Sequence, residues 1–214
     1  MKYQAIIFDL DGTCLDSDLY VAMNYVELFN KFHPEYTPSL KELVSFSGPP
    51  LTEVFSKYFP EYDFDTLYEQ FSSYAKKYAN KYSRLYEDEL EVLDLIKSSG
   101  YKTAIVTSKK KEATRNSLNH FKLDHYMDVV ISLDDVKNAK PHPEGLFLAA
   151  KKLSIDPTNC LYVGDSLSDF KAAQNAKMDF ALAYWGLKRF TNFDGMKYIL
   201  NGYKDLKKVL IDEK

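Results

Sequence analysis

Residues 6–18 read IIFDLDGTCLDSD. Ile6, Ile7 and Phe8 have the composition of a short buried strand. Asp9 and Asp11 follow at once, and Asp16 lies a little further on. A carboxylate that ends a buried strand is costly unless something compensates it. One answer is a turn, since Asp-Gly commonly terminates a strand. The other is a cation site that also does chemistry. On an extended strand end, a spacing of two directs Asp9 and Asp11 to the same side. Two neighbouring carboxylates repel, so one is protonated or a cation sits between them.

Further short apolar runs recur along the chain, with helical patterns between them. Strands are expected at Tyr3–Phe8, Lys102–Thr107, Val129–Ser132, Leu161–Gly164 and Phe180–Tyr184. Helices are expected at Glu87–Ser98, Lys110–Asn119, Pro143–Leu153 and Ser168–Ala176. Such alternation predicts an α/β fold, a parallel sheet with helices on both faces. Ligands of these sheets bind beyond the carboxyl ends of the strands. Residues 18–83 break the alternation and read as helices alone, at Leu19–Phe32, Ser39–Ser45, Leu51–Phe59 and Asp65–Lys81. In the last of these, Leu67, Phe71, Tyr74, Ala75 and Tyr78 share one side. The chain therefore divides into a core, 1–17 and 84–214, and a helical insertion, 18–83.

Composition narrows the function classes. A chain of 214 residues suits one large domain or a domain with an insertion. A net charge of −3 and an insertion acidic on balance argue against nucleic acid or an anionic membrane as partner. No run reaches transmembrane length and no signal peptide is seen. Cys14 and Cys160 lack metal-type spacing, which suits the cytoplasm. Nothing in the pattern speaks to an oligomeric state.

Three more stretches join Asp9 and Asp11. GDSLSD, residues 164–169, follows the fourth strand and places Asp165 and Asp169 four apart, with a helix beginning at Ser166 or Leu167. A few carboxylates, with waters and phosphate oxygens, suit magnesium. By itself each acidic motif could equally be a turn or a helix cap. IVTSK, residues 105–109, ends the second strand with Thr107, Ser108 and Lys109, hydroxyls and N–H groups able to hold an anionic oxygen. NAKPHPE, residues 138–144, sets Lys140 in a loop before a helix. Lysines in such loops are usually just solvated, but this one would supply fixed positive charge beside a transferring phosphoryl group.

In their order along the chain, DxDGT after strand one, Thr/Ser after strand two, Lys in a KP context and GDxxxD after strand four, the four elements resemble the haloacid dehalogenase superfamily. The resemblance spans nearly the whole chain and implies a Rossmann-like core with a helical cap insertion. It implies that Asp9 is a nucleophile forming an aspartyl-phosphate and Asp11 a general acid and then base. Thr107 and Ser108 would bind the phosphoryl oxygens, and Lys140 would neutralise charge. Mg2+ would be held by Asp9, the carbonyl of Asp11 and Asp165, with Asp169 as a direct or outer ligand. SFSGPPLTEVF (Ser45–Phe55), SLDDVKNAKPHPE and AYWG resemble the phosphoglycolate phosphatase and pyrophosphatase-like branch. There Gly48 would face substrate through its backbone, unless Gly48-Pro49-Pro50 is only a rigid turn. Cys14 departs from the aliphatic residue usual at its position. His142 is expected at the surface and Asp16 at a turn or hinge. The implied activity is a magnesium-dependent phosphatase of a small phosphorylated metabolite. A phosphomutase, or a non-catalytic phosphate-binding regulator, is the alternative.

Overall fold

The computed structural model describes residues 2–47, 49–187, 190 and 192–212. Six parallel strands, β1 (Ala5–Phe8), β2 (Lys102–Val106), β3 (Val129–Ile131), β4 (Cys160–Gly164), β5 (Asp179–Ala183) and β6 (Tyr198–Leu200), form one sheet in the order β3-β2-β1-β4-β5-β6. The central strand β1 pairs with β2 (Ile7 opposite Ala104) and with β4 (Ile7 opposite Tyr162). Five strands lie where the apolar runs predict them. The sixth escapes sequence reading because it is a three-residue edge strand, held to β5 by pairing of Leu182 with Ile199.

Both faces of the sheet are covered, which is why β1 and β4 are apolar throughout rather than alternating. Ile6, Phe8, Leu161 and Val163 point into one layer with α5 (Glu89–Ser98), α6 (Lys111–Phe121) and α9 (Tyr203–Asp212). Ala5, Ile7, Cys160 and Tyr162 point into the other, with α7 (Glu144–Leu153) and α8 (Leu167–Ala176). The chain turns outward in opposite directions from β1 and β4, so the crevice between their carboxyl ends is the topological switch point. Asp9 and Asp165 are the first residues past these two strands.

Between β1 and α5 lie α1 (Asp18–Phe32), α2 (Leu40–Ser45), α3 (Leu51–Tyr58) and α4 (Phe64–Tyr82). They share a hydrophobic cluster of their own, with Tyr25, Leu28, Phe29, Phe46, Phe55, Phe59 and Leu67 buried in it. α2 begins with a capping box between Ser39 and Glu42, and α4 with Asp63 accepting from the Thr66 N–H. Where the chain leaves for these helices and where it returns, Asp16 and Arg84 pair through both backbones and by a 2.8 Å ion pair.

A buried polar network sits behind the turn that follows β1. The Thr13 carbonyl accepts from Trp185 Nε1 at 3.2 Å and from the Tyr203 hydroxyl at 3.1 Å. Tyr86 donates to the Gly12 carbonyl at 3.3 Å. Three aromatic side chains, from the end of β5, from α9 and from the strand return, thus fix the turn that carries Asp11. Glu89 lies in the same layer, fully buried, and accepts from the Tyr86 N–H at 3.1 Å. Burial raises its carboxyl from the ordinary 4.5 to about 8, against the lowering effect of Tyr86 and Tyr203. The folded chain therefore holds a proton there that the unfolded chain has released, so stability falls as pH rises from 4.5 towards 8. Glu89→Gln removes that slope. It is expected to raise unfolding free energy by about 2–4 kcal/mol near pH 9 and much less near pH 5, measured by urea denaturation.

Candidate active site

Asp9 stands at the carboxyl end of β1, its N–H donating to the Val163 carbonyl at 2.9 Å. Its Oδ1 accepts from Lys140 Nζ at 2.7 Å. The same ammonium donates to Asp169 Oδ1 at 2.6 Å and reaches the Tyr162 hydroxyl and the Val106 carbonyl at 3.2 and 3.3 Å. Lys140 and Asp169 are 7% and 0% exposed at their side chains, so this is an ion pair out of water. Asp169 is saturated by protein donors. Its Oδ1 also accepts from Tyr162, and its Oδ2 from the N–H and hydroxyl of Ser166, which caps α8 in a capping box.

Two glycines are fixed by carboxylates. Gly12 has φ +85°, and a Cβ there would sit 2.0 Å from Asp165 Oδ2. A Cβ on Gly164 would lie 2.6 Å from Asp169 Cβ. The glycines after the first and before the last carboxylates are thus needed for close packing as much as for turning.

Asp11 has its own cation. Lys109 Nζ donates to Asp11 Oδ1 at 3.0 Å and lies 5.8 Å from the centroid of the Tyr20 ring. The expected repulsion between Asp9 and Asp11 is therefore relieved by two lysines, one for each carboxylate. The sequence singles out Lys109 only as part of a hydroxyl and N–H arrangement, because nothing local shows a partner 98 residues away. Thr107 is buried and accepts from the Lys109 N–H at 3.1 Å, and Ser108 is half-buried beside it. Thr107, Ser108, Lys109 and Lys140 line a cleft of about 1530 Å³ with Asp9 and Asp11. Ser47, Pro49 and Pro50 line it from the helical side, while Gly48 lies outside the described residues. His142 is exposed and accepts from the Glu144 N–H, away from these groups.

Asp9, Asp165 and Asp169 are all buried, and each offers an oxygen within 4.8 Å of the others. Burial raises the Asp9 carboxyl most; Lys140 opposes it and Asp169 and Asp165 reinforce it, leaving it near 7. Burial also acts to raise Asp169, but Lys140, Ser166 and Tyr162 outweigh it and hold that group below the usual range. Asp9 remains electrostatically strained beside its lysine. A hard divalent cation relieves such strain, and an all-oxygen donor set fits magnesium.

The family model described as haloacid dehalogenase-like hydrolase matches residues 6–183. The chain is 31% identical to the pyrophosphatase PpaX of Bacillus cereus strain Q1, over 99% of this chain and 98% of that protein. It is 33% identical to PpaX of B. cereus strain B4264, over 98% and 97%. Among solved structures, a candidate phosphoglycolate phosphatase from Lactobacillus plantarum superposes with TM-score 0.87 at 26% identity, covering 98% and 100%. A candidate haloacid dehalogenase-like hydrolase from Bacteroides fragilis superposes with TM-score 0.87 at 28% identity, covering 95% and 99%.

The two ion pairs differ in burial, and their removal is expected to differ in cost. Asp169→Ala leaves Lys140 only Asp9 as a carboxylate partner and strands the buried donors of Tyr162 and Ser166, a loss of about 3 kcal/mol or more. Asp11→Ala, whose partner still meets solvent, is expected to cost under about 2 kcal/mol. Urea unfolding of both variants measures this, and equal costs contradict it.

Proposed function

Because the chain belongs to the haloacid dehalogenase-like hydrolases, we propose that it is a magnesium-dependent phosphatase acting on a small phosphorylated metabolite. The observation that carries this reading is the setting of Asp9. It is a buried carboxylate at the switch point, held by one lysine and facing the cleft beside a second, separately held carboxylate.

In this reading an Asp9 oxygen attacks phosphorus and the bond from phosphorus to the leaving oxygen breaks, giving an aspartyl-phosphate. Asp11 gives its proton to the leaving oxygen. It then takes a proton from water, whose oxygen attacks phosphorus as the bond to Asp9 breaks. The covalent route divides one difficult displacement into two easier ones. Lys140 and the Thr107 and Ser108 donors hold the phosphoryl oxygens where negative charge gathers. Lys109 sets the direction of Asp11. Asp9, Asp165 and the Asp11 carbonyl would hold magnesium, which when bound supplies charge against the phosphoryl oxygens. Asp169, with every oxygen engaged, serves this site by fixing Lys140.

Residues 18–83 act as a cap over a core formed by 1–17 and 84–214, turning about the Asp16–Arg84 pair. Closure would exclude water from the phosphoryl group. The loop Ser47-Gly48-Pro49-Pro50 would meet the leaving group from the cap side. Likeness to the PpaX pyrophosphatases supports a pyrophosphate-like substrate, and likeness to the candidate phosphoglycolate phosphatase of Lactobacillus a phosphoglycolate-like one. We place the enzyme in the cytoplasm on its two buried, unpaired thiols. Among the described residues no helix is long and apolar enough to cross a membrane.

A phosphate-release panel over pyrophosphate, phosphoglycolate and sugar phosphates, run with magnesium and with a chelator, tests the proposal. Turnover is expected with magnesium alone, and Asp9→Asn is expected to lose at least about a thousandfold in kcat. Magnesium-independent turnover, or Asp9→Asn activity near that of the wild type, contradicts it.

A further inference from the structure

Past the catalytic carboxylates the cleft continues between α4 and α6, and its two walls differ in chemistry. α4 contributes an aromatic and aliphatic stretch, Tyr68, Phe71 and Ala75, with Ser72, Lys76 and Asn80 beside it. α6 and the residue before it contribute the donors Lys110, Arg115 and Asn116, together with Glu112, whose carboxylate faces Lys76 at 4.0 Å. Six cations line the whole cleft, and four of them face carboxylates: Lys140 on Asp9, Lys109 on Asp11, Lys111 on Asp135 and Lys76 on Glu112. Lys110 and Arg115 face none among the described residues. Lys110 Nζ lies 3.9 Å from the centroid of the Tyr68 ring, across the cleft. Arg115 is exposed, one turn along α6 from Lys111. At 1.5 Å per residue, that is roughly 6 Å further from the catalytic end.

We infer that this α4–α6 arm of the cleft is a subsite for a second oxyanion on the leaving group, bound by Arg115 and Lys110. Its ligand is an organic phosphate with a flat or apolar body lying on Tyr68 and Phe71. The second negative charge sits on the α6 side of the cleft, about one helical turn beyond Lys111. A planar guanidinium with no carboxylate partner is suited to a carboxylate or phosphate oxygen pair. An apolar wall opposite it accepts carbon, which inorganic pyrophosphate lacks. The inference rests on the phosphatase reading and narrows it to a substrate class.

Two matched esters test it: 4-carboxyphenyl phosphate and its uncharged near-isostere, 4-carbamoylphenyl phosphate. The wild type is expected to prefer the carboxylate by about fivefold or more in kcat/KM, roughly 1 kcal/mol. Arg115→Ala is expected to bring that ratio close to one. A wild-type ratio near one, or a ratio unchanged in Arg115→Ala, overturns the subsite. If neither ester is hydrolysed, the phosphate-release panel decides the phosphatase reading. Calorimetric titration of the same two esters then decides the subsite. Binding selective for the carboxylate and lost in Arg115→Ala supports it, and equal binding of the two esters overturns it.

Discussion

The ammonium of Lys140, held out of water between Asp9 and Asp169, is the contact on which the rest of the site depends. A buried charge is tolerated only with close partners and full hydrogen bonding. Those partners come from four different places in the chain: the end of β1, the end of β2, the middle of β4 and the first turn of α8. The order of the sheet brings them together. With β1 central and β4 beside it, Asp9, Tyr162 and Asp169 converge on one crevice, and Lys140 enters from the loop before α7. The glycines at 12 and 164 let the carboxylates approach the backbone that closely.

The two lysine–carboxylate pairs are built for different tasks. Lys140 is enclosed, and four groups fix its geometry before any ligand arrives. Its field is therefore strong and preorganised, since little solvent screens it. Lys109 and Asp11 face the cleft and retain some contact with water. The proton transfers proposed for Asp11 need such access. Behind both, Trp185, Tyr203 and Tyr86 hold the Gly12 and Thr13 carbonyls, so the turn bearing Asp11 is anchored to α9 through its main chain.

Much of this was legible in the sequence. The five apolar runs locate β1 to β5, because they are short, rich in β-branched and aromatic residues, and alternate with helical patterns. Asp9, Asp11, Thr107, Ser108 and Lys140, each near a strand end or in the loop before α7, line one cleft. What stayed hidden depends on distant pairing. β6 is three residues long and owes its conformation to β5. α9 lies past the last strand that periodicity reveals, yet its Tyr203 packs against Trp185 with ring centroids 4.7 Å apart. Tyr162 reads as one more apolar strand residue, while its hydroxyl binds Asp169 and Lys140. The spacing of Asp169 from Asp165 suggests a shared ion, and the two lie with Asp9 in a buried triad able to hold one, but that spacing does not disclose the hydrogen bonds of Asp169 to Ser166, Tyr162 and Lys140.

The central claim is that the carboxylate held by Lys140, and not its neighbour, becomes bonded to phosphorus. Rapid acid quench of the enzyme during turnover, followed by peptide mass spectrometry, tests this directly. The account predicts a single acid-stable but hydroxylamine-labile phosphoryl group, on the peptide that carries Asp9, absent in Asp9→Asn and present in Asp11→Asn. Turnover with no phosphorylated peptide at any quench time, or a phosphoryl group on Asp11 or another residue, would contradict it.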